Sequence, residues 1–180
     1  MSAQPILDYK YEYMIALILA LGLNGRPAFK REDIKEFMPK AKDFELKENT
    51  VVIRTPTDTP EQDEASGARI VHEHNITLKR SRVLMHHEFQ IDFWLSDLAS
   101  QIIEATLSDQ AETFIGLYDH VKTPEGDAVR VEYLGGGIVE DENDDFYKVV
   151  IRLKFIEPKY KEEHVPRLTD ENQVEYGVST

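Results

Sequence analysis

Cysteine is absent from this 180-residue chain, and so are long apolar runs. A chain without cysteine forms no disulfide and offers no thiolate nucleophile or metal ligand, which favours an intracellular folding environment. The longest apolar stretch, Tyr13 to Leu21, falls well short of the roughly 20 residues of a membrane-spanning helix. Asp8, Lys10 and Glu12 precede it, where a signal peptide would carry a basic leader. We therefore predict neither a signal peptide nor a membrane span.

Basic residues are scarce relative to acidic ones. The 21 lysines and arginines stand against 34 aspartates and glutamates, for a formal net charge of -13. This balance argues against a basic surface that grips nucleic acid. Solubility is the simplest explanation of the excess of acidic residues, so the net charge constrains function weakly. The length fits one ordinary domain, and 41% hydrophobic residues suffice to fill a single core.

The first 50 residues predict two helices. Asp8 can cap a helix from Tyr9 to Leu21 that is apolar on nearly all sides. A shorter helix over residues 27–38 would place Ile34, Phe37 and Met38 on one side. Both helices would pack on the same core.

The middle of the chain predicts strands around an exposed loop. Thr50 to Arg54 is rich in β-branched residues, whereas residues 55–68 hold prolines and acids and are predicted to form an exposed loop. Ile70 to Leu78 and Val83 to Phe93 alternate between apolar and polar residues. We therefore predict an antiparallel hairpin with Lys79 to Arg82 as its polar turn. The second of these strands carries one row of side chains on a single face: Val83, Met85, His87, Phe89, Ile91 and Phe93.

A helical region follows these strands. Ser96 or Asp97 can cap a helix that places Leu98 and Ile102 on one side, and helical character continues from about Asp109 to Tyr118.

A closing hairpin completes the predicted sheet. Thr123 to Asp127 is a turn, Val129 to Tyr133 is a strand, and Gly135 to Gly137 is a break that leads to an acidic tip. The last strand has the clearest alternation and ends at Pro158. Its inward row is Tyr147, Val149, Ile151, Leu153 and Phe155, which should share a core with Phe89, Ile91, Leu98 and Ile102.

These patterns predict an α+β fold. An antiparallel or mixed sheet would carry helices packed on one face, together with an N-terminal apolar helix and an extended C-terminal arm. The predicted boundaries are residues 1–158 for a single domain, with 55–68 as its exposed loop, and 159–180 for the arm.

Histidines are the only dense group of metal-capable side chains. Alternation places His72 and His74 on one face of a strand but His86 and His87 on opposite faces, which divides the second pair. Two histidines with a distant third ligand could hold zinc. Strand histidines without a metal are the better interpretation, since the helical spacing of a zinc-binding HExxH motif is missing.

Two other segments resemble ligand loops but miss essential residues. Gly135 to Gly137 lacks the Lys-Ser/Thr ending of a phosphate loop, so a backbone bend or bulge is the better account. Asp141, Asn143 and Asp145 alternate like the opening of a calcium loop, but Phe146 stands where that loop needs glycine. We predict no catalytic, cofactor or metal site and no enzyme activity. The candidate functional residues are acids placed in a channel or at an interface: Glu140, Asp141, Glu142, Asp144 and Asp145.

One passage resembles a known family. The strand His87 to Trp94, a polar break and the helix through Leu98 and Ile102 look like the neck and tail-terminator proteins of tailed bacteriophages. Those proteins pair such a strand and helix with a late strand, which here matches Tyr147 to Phe155. The order of elements also agrees, and the resemblance covers about residues 9–157.

The resemblance implies a virion structural protein assembled in the host cytoplasm. Such a subunit forms a ring, usually hexameric, that caps the tail tube and joins the tail to the head connector. Its partners would be further copies of itself, tail-tube and sheath subunits and head–tail connector proteins. DNA would pass through the channel without specific binding, and no membrane or cofactor would be involved. A head–tail adaptor ring or a tube protein would show a similar sequence pattern.

Two other classes of function remain open from the residues. An acidic monomeric binding protein that mimics DNA would account for the charge, although its acids should then cover one long face. A small metal-dependent hydrolase would use the histidine pairs.

Overall fold

The computed structural model describes residues 8–23, 26–36, 50–62, 69–73, 76–95, 100–139 and 147–165. It is a mixed α/β protein, mostly β-sheet with two helices, which confirms the predicted class. The chain divides into two compact units: residues 1–59 with 86–157, and residues 60–85 with 158–180. No helix within the described residues is long and apolar enough to cross a membrane.

The helices and strands follow in this order along the chain: α1 (Tyr9–Ala20), β1 (Gly22–Leu23), β2 (Arg26–Pro27), β3 (Ile34–Glu36), β4 (Thr50–Ile53), β5 (Thr57–Gln62), β6 (Arg69–Glu73), β7 (Ile76–Leu95), α2 (Ser100–Leu117), β8 (His120–Lys122), β9 (Ala128–Val139) and β10 (Tyr147–His164). The main sheet has the order β3-β4-β7-β10-β9-β8, and β5 and β6 also pair with β7. Its neighbours are antiparallel where the register is defined, except that β3 runs parallel to β4.

The core of the first unit lies between one face of the sheet and both helices. The fully buried inward row of β10 is Val149, Ile151, Leu153 and Phe155, which confirms the predicted inner face for these four residues. They share one cluster with Phe89 and Ile91 of β7, as predicted, and with apolar residues of both helices: Met14, Leu17, Ile18, Leu107, Ala111 and Ile115. The side chains of Tyr147, Leu98 and Ile102 lie outside the described residues. Each buried aliphatic or aromatic side chain contributes about 1.5–3 kcal/mol.

The two helices are joined by polar contacts as well as by packing. The carboxylate of Asp8 accepts a hydrogen bond from the backbone N–H of Lys10 at the start of α1. At the other end, the Gln110 side chain accepts from the N–H of Gly22 at 2.7 Å and donates to its carbonyl at 2.8 Å. The Tyr13 hydroxyl donates to the carbonyl of Tyr118 at 2.7 Å. The contacts of Tyr13 and Gly22 therefore tie α1 and the residues that follow it to the α2 segment.

The triple glycine forms a bulge within one strand. β9 runs through all three glycines, and its register with β10 shifts between Arg152 and Leu153, opposite Leu134. Gly135 has a φ of 107°, which favours glycine. The predicted break is wrong in that pairing continues, whereas the predicted bulge is confirmed. The predicted turn also forms, since the N–H of Gly126 donates to Thr123 at 2.9 Å.

The predicted hairpin turn at Lys79 to Arg82 is wrong. β7 is continuous from Ile76, and β6 pairs with it from Glu73 opposite Ile76 to Arg69 opposite Arg80. The connection therefore falls at residues 74–75, outside the described residues. The strand accommodates charged residues here, because Arg80 forms an ion pair with Glu162 of β10.

The predicted short helix is wrong over residues 34–36. The N–H of Lys30 donates to Asp33 Oδ2 at 2.8 Å, which closes a single 3-10 turn before β3 begins. Ile34 is then buried as a strand residue beside β4. An apolar spacing of three and four residues over so short a stretch does not distinguish helix from strand. Phe37 and Met38 lie outside the described residues.

Two further boundaries differ from the sequence analysis. Residues 57–62, predicted as loop, form strand β5, although residues 57–61 are exposed as predicted. Strand β10 continues past Pro158 to His164 instead of ending there. Both segments contain a proline, which a strand accepts where the missing N–H is not needed for pairing. Residues 63–68 and 166–180 lie outside the described residues.

The second unit is a ribbon in its described part. The N-terminal half of β7 pairs with β6, and the N–H of Val165 donates to the carbonyl of Thr77 at 2.9 Å. Ile70 and Tyr160 expose 64% and 53% of their surface. This unit therefore presents apolar side chains to solvent.

Candidate functional site

A row of charged side chains closes one end of the first unit's core. Glu157 follows Phe155 on the inward row of β10 and is only 4% exposed. Its Oε2 atom lies 3.3 Å from Lys10 Nζ and 3.1 Å from His87 Nε2. Lys10 is itself 6% exposed, so this carboxylate is the counter-ion of a buried ammonium group.

His87 extends the cluster toward the surface. Its Nδ1 atom lies 2.7 Å from Oδ1 of Asp58 on β5, so the ring stands between two carboxylates. A neutral imidazole donates through one nitrogen, whereas an imidazolium donates through both. The ring thereby links β5 to β10 through β7.

The first turn of α1 completes the cluster. Lys10 Nζ lies 3.2 Å from Asp8 Oδ2 and 4.4 Å from the centre of the Tyr9 ring. Burial raises the pKa of Tyr9, and the charge of Glu157 raises it further. The tyrosine therefore stays neutral beside the carboxylate.

This arrangement is suited to holding elements together. The two nitrogens of His87 face different carboxylates, so Asp58, His87 and Glu157 do not converge on one ion. Within the described part of the chain, no group of three histidine, aspartate or glutamate side chains could hold a metal ion. The cluster fixes the start of α1 to the sheet through the Lys10–Glu157 pair, which is shielded from water.

A second buried charge lies on the opposite face of the sheet. Asp92 is fully buried and accepts a hydrogen bond from Arg54 Nε at 2.5 Å and one from Gln90 Nε2 at 2.7 Å. Lys148 Nζ lies 3.2 Å from the same carboxylate and 5.3 Å from the Trp94 ring. Two cations and one amide thus balance this buried anion.

Within the described part of the chain, the predicted site residues are not brought together. β7 is continuous through His86 and His87, so these neighbours project to opposite faces of the sheet. The side chains of His72 and His74 lie outside the described residues. So do the five candidate acids: Glu140, Asp141, Glu142, Asp144 and Asp145.

The sequence carries a signal for the ionic cluster in two inward-facing rows. Glu157 continues the alternation of Ile151, Leu153 and Phe155, and His87 stands in the same row as Phe89. A charged residue at an inward position of an apolar row predicts a buried partner. Lys10, inside an apolar helix, was that partner.

Comparison with protein-family models and with curated protein sequences adds no relative. No protein-family model matches this chain, and no curated protein sequence matches it significantly.

Proposed function

We propose that this chain is a structural subunit of a bacteriophage tail or neck, and not an enzyme. Copies would form a ring, most simply a hexamer, that caps the tail tube and joins the tail to the head connector. Tail-tube, sheath and connector proteins would be its neighbours in the virion, and DNA would pass through without specific binding. The apolar N-terminal helix and an arm beyond Lys159 belong to this proposal as well.

The exposed apolar side chains of the second unit carry the proposal. Ile70 on β6 and Tyr160 on β10 are 64% and 53% exposed, although both sit on paired strands. A ribbon of few strands is marginal unless a hydrophobic face is covered. Burial of such side chains against a neighbouring subunit would stabilise the ribbon and the assembly together.

Charge pairs along the ribbon support its use as a docking element. Arg80 Nε donates to Glu162 Oε1 at 2.7 Å, and Lys79 Nζ lies 3.9 Å from Glu163 Oε2. These pairs are partly exposed, so they contribute little stability but favour one register of the strands. A ribbon in fixed register offers a defined surface to a neighbour.

The acidity suits a channel that DNA must leave freely. A duplex carries about one negative charge per 1.7 Å, so basic walls would bind it through counterion release. The chain has 34 acidic residues against 21 basic ones, and acidic walls avoid such binding. Residues 140–145 and 55–67 are the candidates for the channel wall or for an interface.

Substitution of the ribbon tests the proposal. Ile70→Asp and Tyr160→Asp should leave the isolated subunit folded, because both side chains are mostly exposed. They should abolish ring formation measured by light scattering and tail joining measured in particle assembly. Lys122→Asp, an exposed change on β8, is the matched control and should assemble normally. Normal assembly of both ribbon variants would remove this support.

A further inference from the structure

A mostly apolar groove opens between the two helices of the first unit. Its volume is about 270 Å³, and its lining is Ala20, Leu21, Asp109, Gln110, Thr113 and Phe114. Clefts that enclose a whole small molecule usually measure about 300 Å³ or more. The groove is therefore sized for one large apolar side chain of a protein partner.

Polar contacts at both ends hold the groove open. The Gln110 side chain bonds both the N–H and the carbonyl of Gly22, at 2.7 and 2.8 Å. Farther along, the Tyr13 hydroxyl donates to the carbonyl of Tyr118 at 2.7 Å. The rings of Tyr13 and Phe114 also meet edge to face, with their centres 5.7 Å apart. The groove is thus formed before any partner arrives, which lowers the entropic cost of binding.

Exposed apolar side chains continue the groove. Leu117 follows Thr113 by one helical turn on the same side of α2, and it is 72% exposed. Tyr118 is 57% exposed, and the centre of its ring lies 4.9 Å from that of Phe114. Apolar surface that adjoins a groove in this way favours contact with a protein partner.

The charge around the groove is negative. Lys10 is the one basic residue of the two helices, and it is buried, whereas four residues are acidic: Glu12, Glu104, Asp109 and Glu112. Neither helix has a basic residue in its last turn. The negative end of the α1 dipole, at Ala20, therefore lies beside the groove without a neutralising side chain on its own helix. Asp109 is exposed and adds a full negative charge to the lining.

We propose that this groove docks a basic amphipathic segment of a partner protein. An apolar side chain of the segment packs against Leu21 and Phe114, and a neighbouring lysine or arginine pairs with Asp109. Docking of an amphipathic helix into an apolar groove is a recurrent mode of recognition. A second copy that met the groove with the same face would bring acid against acid. The inference is independent of the proposed ring, whose contact uses the second unit.

Peptide binding to the full chain tests the inference. The probe is a fluorescent amphipathic helical peptide made only of leucine and lysine, titrated at physiological salt. We expect saturable binding that Thr113→Trp weakens by ~10-fold or more, because the indole fills the groove. Asp109→Lys should weaken it by a similar factor, because an attractive charge contact becomes repulsive. Both positions are exposed on α2, and circular dichroism should show that both variants fold.

Controls separate docking in the groove from general attraction to an acidic protein. Glu125→Lys reverses an exposed charge in the turn before β9, outside the groove, and should leave binding within about twofold. A peptide with glutamine in place of leucine keeps its charge but loses the apolar anchor, so it should not bind.

Three results would overturn the inference. The first is undiminished binding by Thr113→Trp or Asp109→Lys. The second is equal binding of the leucine and glutamine peptides, which would show charge attraction alone. The third is self-association of the unaltered chain that Thr113→Trp abolishes, since this would assign the groove to a second copy.

Discussion

Glu157 and His87 meet at the buried end of the core, where Oε2 of the glutamate lies 3.1 Å from Nε2 of the histidine. The same oxygen lies 3.3 Å from the ammonium group of Lys10. One carboxylate therefore joins the first helix to two strands that are distant in sequence. Because water is largely excluded, loss of either charge removes the buried counter-charge of its partner.

Glu157→Gln should destabilise the protein by up to about 3–5 kcal/mol, since it removes the buried counter-ion of Lys10 and leaves only the partly exposed carboxylate of Asp8 beside the ammonium group. Urea unfolding followed by circular dichroism measures the change. The matched control is Glu32→Gln, because Glu32 pairs with Lys30 on the surface, where the side chains are 76% and 80% exposed. It should cost less than about 0.5 kcal/mol. Equal costs for the two variants would contradict a buried ion pair.

Tyr13 should resist ionisation. Burial raises its pKa, and the nearby Asp119 charge adds to the rise. Because the folded-state pKa of Tyr13 lies above its unfolded value near 10, this group leaves the free energy of unfolding unchanged below about pH 10. The free energy of unfolding falls as the pH rises above that value. Tyr13→Phe should remove one late-ionising phenol from an absorbance titration at high pH. It should also cost about 1 kcal/mol, because the hydrogen bond to the carbonyl of Tyr118 is lost. An unchanged titration would contradict the burial of this hydroxyl.

Gly136→Ala should destabilise the packing of α2 on β9. An added Cβ would lie 2.7 Å from Ser108 Oγ and 2.9 Å from the Val150 carbonyl oxygen, and the backbone atom cannot move away cheaply. We expect a cost of about 1–3 kcal/mol. Gly137→Ala is the control, because a Cβ there meets nothing within 4 Å. Thermal unfolding should therefore give a clearly lower melting temperature for Gly136→Ala than for Gly137→Ala. Similar melting temperatures would contradict the close packing of α2 on Gly136.

Ile151→Asp should leave the chain insoluble or unfolded. Ile151 is fully buried on the face of β10 that the helices cover, and an unpaired charge there costs several kcal/mol. Its neighbour Arg152 points to the exposed face, so Arg152→Asp should fold. Solubility and circular dichroism distinguish the two. A well-folded Ile151→Asp protein would show that the inner face of β10 is wrong.

The inward rows of the sheet were predictable because burial and period-2 alternation leave one solution. Ile151 and Phe89 follow directly from the pattern. Strand ends were less predictable. Lys79 and Arg80 look like turn residues until Glu162 and Glu163, some 80 positions away, are brought opposite them. A polar residue with a distant partner has no local signal.

The ionic cluster was only half visible in the sequence. Alternation places Glu157 and His87 inward, but it does not say which helix supplies the cation. A polar cleft beside Arg152, lined also by Arg54 and Gln90, was not visible at all. It depends on the bulge at Leu134 and on strands whose order in the sheet differs from their order in the chain. Local pattern sets which face a residue occupies, whereas topology sets its neighbours.

Electron microscopy of the purified chain, alone and with tail-tube subunits, tests the proposed function most directly. We expect closed rings, six-fold in class averages, that cap the ends of tubes, with light scattering giving a matching mass. Rings should disappear with Ile70→Asp and Tyr160→Asp, whose changes lie on the exposed ribbon. A chain that remains monomeric at high concentration and leaves tube ends bare would contradict the account.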